Sequence, residues 1–244
     1  MSSTRLPGKV MKMVNGKPVL YHITNQLSHS KLLKKIVVAT SVNIDDDIIE
    51  DYTKKIGISC FRGKLYDVLD RHYQCAKKFS LDPIIRIPSD KPLIDPYIAD
   101  EVIKKFNSNQ YDYVSNFVYP LQYNVGTEVE VFSFKALENA WKIAQKPSER
   151  EHLFPYFHDY KNKFKIHFVS NLKDLTNLRY TLDRIEDLKL IREIFSSIKK
   201  RPILKNDILK LFSEKPDLFN INKNLEHNEG QIKSLKDDPN FYNN

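Results

Sequence analysis

A three-layer α/β fold around a mostly parallel sheet is what this sequence predicts, on three observations. Short runs of branched apolar residues alternate with longer amphipathic stretches. The alternation continues from Ile36 to Val114 without a break. The chain has 244 residues, 41% of them hydrophobic and 29% charged, which is enough to bury a sizeable core and excludes disorder, collagen and a coiled-coil rod.

The elements follow in order. Ile36-Val37-Val38-Ala39 reads as a strand before a helix from Asp45 to Lys55, and Ile58-Ser59-Cys60-Phe61 as a strand before a helix from Tyr66 to Phe79. Ile84-Ile85-Arg86-Ile87, a helix from Pro96 to Phe106 and the strand Tyr111-Asp112-Tyr113-Val114 continue the repeated βαβ pattern. Beyond residue 115 the order is less regular: a strand at Glu128–Phe134, a helix at Lys135–Gln145, a charged stretch at Ser148–His158, and strands near Phe164–Val169 and Arg179–Leu182. Helices over Ile185–Ile198 and Lys205–Phe212 close the fold. With no internal repeat or low-complexity linker, residues 1–219 read as one domain and 220–244 as a loosely packed polar tail.

Composition narrows the function. Cys60 and Cys75 have no partner pair for a zinc knuckle or a disulfide framework, which points to a reducing compartment. No apolar run approaches the roughly 18 residues of a membrane span, and Met1-Ser2-Ser3-Thr4-Arg5 is polar where a signal peptide is apolar. The expected location is the cytoplasm, with no membrane partner. The net charge is +8, but 30 of the 39 basic residues are lysines dispersed among acids, without the basic and aromatic interleaving that stacks bases. Nucleic acid is therefore not expected as a partner, and the charge suits small anionic substrates.

Open α/β sheets bind ligands at the carboxyl ends of their strands, so motifs there matter most. Ser2 to Lys9, SSTRLPGK, crowds hydroxyls, a guanidinium, a glycine turn and an ammonium into eight residues, an inventory suited to polyphosphate; a flexible basic terminus fits equally. Pro88-Ser89-Asp90-Lys91-Pro92-Leu93-Ile94-Asp95 follows a strand directly. An aspartate there can help hold Mg²⁺ beside phosphate oxygens, while Asp95, just before Pro96, is placed to cap the next helix. Asp183 stands where another strand runs into a helix; a metal ligand and a helix cap, with Glu186 completing a capping box, both fit. The alternating charges of Pro147–His152 read as a solvated helical face, and His152 as a general base only if a nucleophile is near.

Taken together, SSTRLPGK, VVATS at Val37–Ser41, FRG at Phe61–Gly63, DVLDR at Asp67–Arg71, SDKPLID, EVEVFSF at Glu128–Phe134, SEREH and TLDRIED form an ordered series. The series resembles the cytidylyltransferases related to spore coat polysaccharide biosynthesis protein F and, more distantly, the synthetases of CMP-activated sialic and ketodeoxyoctonic acids. It covers the chain from Met1 to about Asp187. The resemblance implies a nucleotidyltransferase fold, Rossmann-like and akin to the glycosyltransferase-A architecture, that transfers a nucleotidyl group from CTP to a sugar, sugar acid or similar small acceptor and releases pyrophosphate. It implies nucleotide contacts from Ser2, Ser3, Arg5, Lys9, Arg62, Gly63, Asp70 and Arg71, with Arg5, Lys9 and Asp90 catalytic. It also implies Mg²⁺ on Asp90 and Asp183, and Glu128, Glu130, Arg150 and His152 towards the acceptor. A homodimer follows from the resemblance alone.

Four departures qualify it. The family pattern has threonine and glycine where Pro88 and Ser89 stand, aspartate where Glu128 stands and proline where Ile185 stands. Relatives also carry a strand ahead of the methionine that is residue 1 here. The expectation is a sheet lacking its first strand and a native chain about ten residues longer. Two other functions stay open: a nucleotide-sugar-dependent glycosyltransferase, disfavoured because Lys91-Pro92 follows Asp90 where an Asp-x-Asp motif is typical, and an inactive nucleotide-binding relative.

Overall fold

The computed structural model describes residues 1, 3–108, 110–117, 125–152, 156–157, 163–170, 178–225, 229 and 238. A 3-10 turn at Lys9–Met11 leads into β1 (Met13–Val14), β2 (Lys17–Pro18) and α1 (Val19–Leu27). Next come β3 (Val37–Ser41), α2 (Asp47–Lys55), β4 (Ser59–Gly63), α3 (Val68–Phe79), β5 (Ile84–Arg86), α4 (Pro96–Ser108) and β6 (Tyr113–Ser115). Then follow β7 (Glu130–Phe132), α5 (Phe134–Ile143), α6 (Pro147–Glu151), β8 (Ile166–Phe168), α7 (Ile185–Ser197) and α8 (Lys205–Glu214).

Helices cover both faces of the main sheet, as the alternation predicts. Successive residues point to opposite faces of a strand. Val114 of β6 and Val131 of β7 accordingly join a core with α1, α4, α7 and α8, while Tyr113 and Phe132 join a second core with α3 and α5. Asp67 and Ser133 cap α3 and α5 by accepting from the N–H groups of Asp70 and Ala136.

The sheet differs from the expected one in three ways. It is mixed: in the order β5-β7-β6-β8, β7 runs antiparallel to both neighbours, although the other three strands share one direction. The expected strand at Arg179–Leu182 is reduced, among the described residues, to a single bridge from Arg179 to Val125, and the Leu182 N–H turns to the Asp90 carbonyl instead. And β3 pairs in parallel with β4 alone, apart from the four-stranded sheet. The facing edges of β3 and β5 border a cavity of about 620 Å³, walled by Val38, Ala39, Ile85, Ile87, Leu20 and His72 among others.

The β1–β2 hairpin and α1 have no counterpart in the sequence reading. The signal was present: Asn15 and Gly16, both at positive φ, are the dipeptide a two-residue hairpin turn favours. The segment read as a loose polar tail contributes described side chains to the domain, and Ile221 packs against its core. Asn222 donates to the Arg179 carbonyl and to Asp187, Glu229 pairs with Arg184, and Asp238 accepts from the N–H of Ser148.

His72 carries a pH dependence. Its Nδ1 lies 2.7 Å from the Val68 carbonyl, which can only accept, so the ring holds its proton there. Burial pushes its pKa down to about 3, with the Arg86 and Arg71 cations adding to the shift. The unfolded ring protonates near 6.5, so between those values the unfolded chain binds the extra proton and stability falls as pH drops. The melting temperature is expected to fall from pH 7 to pH 5, and to fall less in His72→Asn; equal slopes in both proteins would refute the assignment.

Candidate active site

The amino-terminal loop, the loop after β5 and the segment before α7 meet at one place. The last two are tied by backbone: the Leu182 N–H donates to the Asp90 carbonyl at 2.8 Å, and Thr181 Oγ1 to the same oxygen at 3.1 Å. This holds the Asp90 and Asp183 side chains close enough to share one ammonium. Lys9 Nζ is 2.8 Å from Asp183 Oδ1 and 3.4 Å from Asp90 Oδ2. Arg5 donates to Asp183 Oδ1 at 2.9 Å, and Arg179 reaches its Oδ2 at 3.3 Å.

Gly8 places Lys9. Its φ of +66° starts the turn from the left-handed region, and a Cβ there would stand 2.8 Å from Met1 Cε. Gly8→Ala is expected to cost about 1 kcal/mol and to weaken triphosphate binding several-fold by displacing Lys9. Unchanged melting and nucleotide affinity would contradict this. Ser3 serves the same loop, its Oγ accepting from the Leu6 N–H; Ser2 lies outside the described residues.

Lys91 belongs to the site although the sequence reading gave it no role there. Its side chain is 8% exposed, and its ammonium lies 2.9 Å from Glu128, 3.6 Å from Asp90 and 3.3 Å from Thr181 Oγ1. Burial works against its charge, but the Asp90 and Glu128 carboxylates outweigh that and raise its pKa. Burial likewise opposes the Asp90 carboxylate, and Lys91 and Lys9 overcome it, holding that carboxyl well below the usual range. For Asp183, burial and the neighbouring Asp90 act upward; Lys9 and Arg5 reverse this, so it too stays ionised.

Capping of α7 falls to Asp187 rather than to Asp183 or Glu186. Asp187 accepts from the Asp183 and Arg184 N–H groups and takes Arg179 through two nitrogens, leaving Asp183 to face the cluster. Asp95 does cap, accepting from the Tyr97 and Ile98 N–H groups and from that of Lys205. The Pro147–His152 stretch is not a solvated face: Ser148 and Glu149 are buried, with Ser148 bonded to Asp238 and Glu149 accepting from the N–H groups of Gln145 and Lys146.

The remaining expected site residues divide. Arg71, Glu128, Glu130 and His152 line the large cavity together with Arg5, Asp90 and Asp183. Glu130 is also held by Arg86 and by the Tyr113 hydroxyl, and Glu128 accepts from the Gly126 N–H. Arg62, Gly63 and Asp70 instead border a separate open groove. Arg62 is bound by Ser41, Asn43, Asp47 and Glu50, and Asp70 accepts from Trp141 and Gln74. Gly63 makes room for the Arg71 side chain, whose Cγ would lie 2.9 Å from an added Cβ. Arg150 joins Asp67 to the end of α5 through the Ala144 carbonyl.

Among the described residues no group of three or more His, Cys, Asp and Glu side chains stands ready to hold a metal unaided. Mg²⁺ does not need one: it is usually bound by one or two carboxylates, waters and substrate phosphates. Asp90 and Asp183 fit that pattern, and Asp90 Oδ1 is a buried oxygen with no hydrogen-bond partner.

A mixed sheet between helical layers, with paired aspartates and a basic loop at one end, defines an α/β nucleotidyltransferase. The fold matches that of CMP:2-keto-3-deoxy-manno-octonic acid synthetase solved with CTP, with a TM-score of 0.60 over 80% of this chain and 94% of that one at 15% identity. The chain belongs to the cytidylyltransferase family, an enzyme family whose profile matches residues 1–225. A cytidylyltransferase structure from Leptospira borgpetersenii superposes with a TM-score of 0.87 at 31% identity, covering 93% of this chain and 95% of that one. An uncharacterised protein of Methanocaldococcus jannaschii is 34% identical over 227 residues, 91% of each chain. Spore coat polysaccharide biosynthesis protein SpsF of Bacillus subtilis is 28% identical over 225 residues, 89% of this chain and 92% of its own. No helix among the described residues is long and apolar enough to cross a membrane.

Proposed function

We propose that this chain transfers the cytidylyl group of CTP to a sugar, sugar acid or similar small acceptor in surface polysaccharide synthesis, in the cytoplasm, releasing pyrophosphate. The observation that carries this reading is the convergence of Arg5 and Lys9 on Asp90 and Asp183. An acceptor oxygen attacks the α-phosphorus, a hydroxyl acceptor releasing its proton to water, the bond from that phosphorus to the bridging oxygen breaks, and pyrophosphate leaves with the electron pair. Arg5 and Lys9 bind the phosphates and screen the departing charge; Asp90 and Asp183 would hold Mg²⁺. When bound, the ion supplies Lewis-acid polarisation of phosphate oxygens. Arg71 lies towards the nucleoside, with Arg62, Gly63 and Asp70 behind it. Glu128, Glu130 and His152 face the acceptor, and Arg150 fixes the segment that carries His152. Positioning and charge do most of the work in such transfers.

The test is thermal stabilisation by CTP with Mg²⁺ against ATP, GTP and UTP, followed by pyrophosphate release with an acceptor panel. CTP-selective stabilisation and release support the reading. Consumption of a nucleotide-sugar in its place would make the chain a glycosyltransferase, and no nucleotide response would make it an inactive relative.

We also infer that the cavity between β3 and β5 has the place for one more strand of this sheet. Two unpaired strand edges and apolar walls support this, as do Arg71 Nε and Arg86 Nε, two buried donors with no partner. A protein lengthened at its amino terminus by a strand-forming segment is expected to melt higher and to protect the Val37–Ser41 and Ile84–Arg86 amides from hydrogen exchange. Unchanged protection would refute the inference.

A further inference from the structure

The two ammoniums at the paired aspartates are held in different ways. Lys91 sits in the loop between β5 and α4, keeps Glu128 as its own counterion at 2.9 Å and donates to Thr181. Lys9 has no such private partner among the described residues: its Nζ contacts are Asp183 Oδ1 at 2.8 Å and Asp90 Oδ2 at 3.4 Å. Asp183 is meanwhile served by Arg5 and Arg179 as well, so it stays compensated if Lys9 moves away. Asp90 likewise keeps Lys91.

A divalent cation held by Asp90 and Asp183, even one that took the unpartnered Asp90 Oδ1, would lie beside the Asp183 Oδ1 and Asp90 Oδ2 atoms that Lys9 now contacts. Mg²⁺ sits about 2.0–2.1 Å from its oxygen ligands, so an ammonium and the ion cannot share that point, and their like charges repel at short range. A triphosphate offers Lys9 new oxygens to move to, but only once the nucleotide is present.

We propose that Lys9 is an exchangeable placeholder cation: it neutralises Asp90 and Asp183 in the nucleotide-free protein, and gives way to a divalent ion when a nucleoside triphosphate draws it onto the phosphates. Lys91 stays in place throughout. The metal site is thereby kept weak until the nucleotide arrives, which couples the two ligands reciprocally. This rests on the reading that Asp90 and Asp183 hold the metal.

Mn²⁺ is the probe, titrated by electron paramagnetic resonance against the full chain without nucleotide. In Lys9→Met the Mn²⁺ affinity is expected to rise by about tenfold or more over the parent, since a competing charge is gone. Lys9→Arg should stay as weak as the parent, and Asp90→Asn added to Lys9→Met should abolish the gain. CTP should then strengthen Mn²⁺ binding in the parent by a larger factor than in Lys9→Met. Thermal melting of each variant checks that it is folded. Equal Mn²⁺ affinity in the parent and Lys9→Met, with the Asp90→Asn change still lowering it, overturns the placeholder role while leaving the metal reading intact. Mn²⁺ binding indifferent to Asp90→Asn, or absent even with CTP, overturns both.

Discussion

Asp90→Ala is expected to lower pyrophosphate release from CTP by about a thousandfold or more, while the protein remains folded. Both halves follow from how Asp90 is held. Its structural contribution is made by its backbone carbonyl, which accepts from Leu182 and Thr181 and survives any substitution. Among the described residues its side chain meets the two ammoniums, and each keeps another carboxylate afterwards: Lys9 has Asp183, and Lys91 has Glu128. No buried charge is stranded, so melting should shift little. The assay is pyrophosphate release at saturating CTP and Mg²⁺ beside a melting curve. A near-normal rate would remove Asp90 from the metal assignment.

Asp187→Ala is expected to do the reverse and strike stability first, by about 3–5 kcal/mol. The Asp187 side chain is 0% exposed. It accepts from two backbone N–H groups at the start of α7, from Arg179 and from Asn222. Removing it takes from the Arg179 guanidinium, 5% exposed, the carboxylate that meets it through two nitrogens. Two helix-terminal donors and one amide also lose their acceptor. The denaturant midpoint of unfolding reads the loss, and Asp187→Asn should fall between because it keeps an acceptor without the charge. A change under about 1 kcal/mol in the alanine variant would mean that water or relaxation replaces these bonds.

The contrast between Asp183 and Asp187 shows where sequence reasoning stopped. Both stand beside the start of the same helix, and a pattern of acids there announces a cap without saying which acid provides it. Folding decides, because Arg179 approaches from the segment before the helix and clamps Asp187. Lys91 was obscured differently: a lysine beside an aspartate reads as surface charge until Glu128 and Thr181 are seen to bury it. Arg62 and Asp70 show a different limit. Their motifs matched the family series, yet their polar atoms are occupied by neighbours on β3, α2, α3 and α5.

What the sequence by itself determined is the alternation of elements, the layered α/β class, the helix cap at Asp95, and the ordered motifs that identify the family. These are local properties: a period of two or of 3.6, a turn residue or a capping oxygen is written within a few neighbouring residues. Only the tertiary structure decided that β7 runs against its neighbours, that β3 and β5 face each other across a cavity, and that Lys9 lies between Asp90 and Asp183. Those partners are 81 and 174 residues away from Lys9 in the chain. Contacts over such separations are set by which strand edges pair and which charges must be neutralised together, and no local pattern encodes that choice.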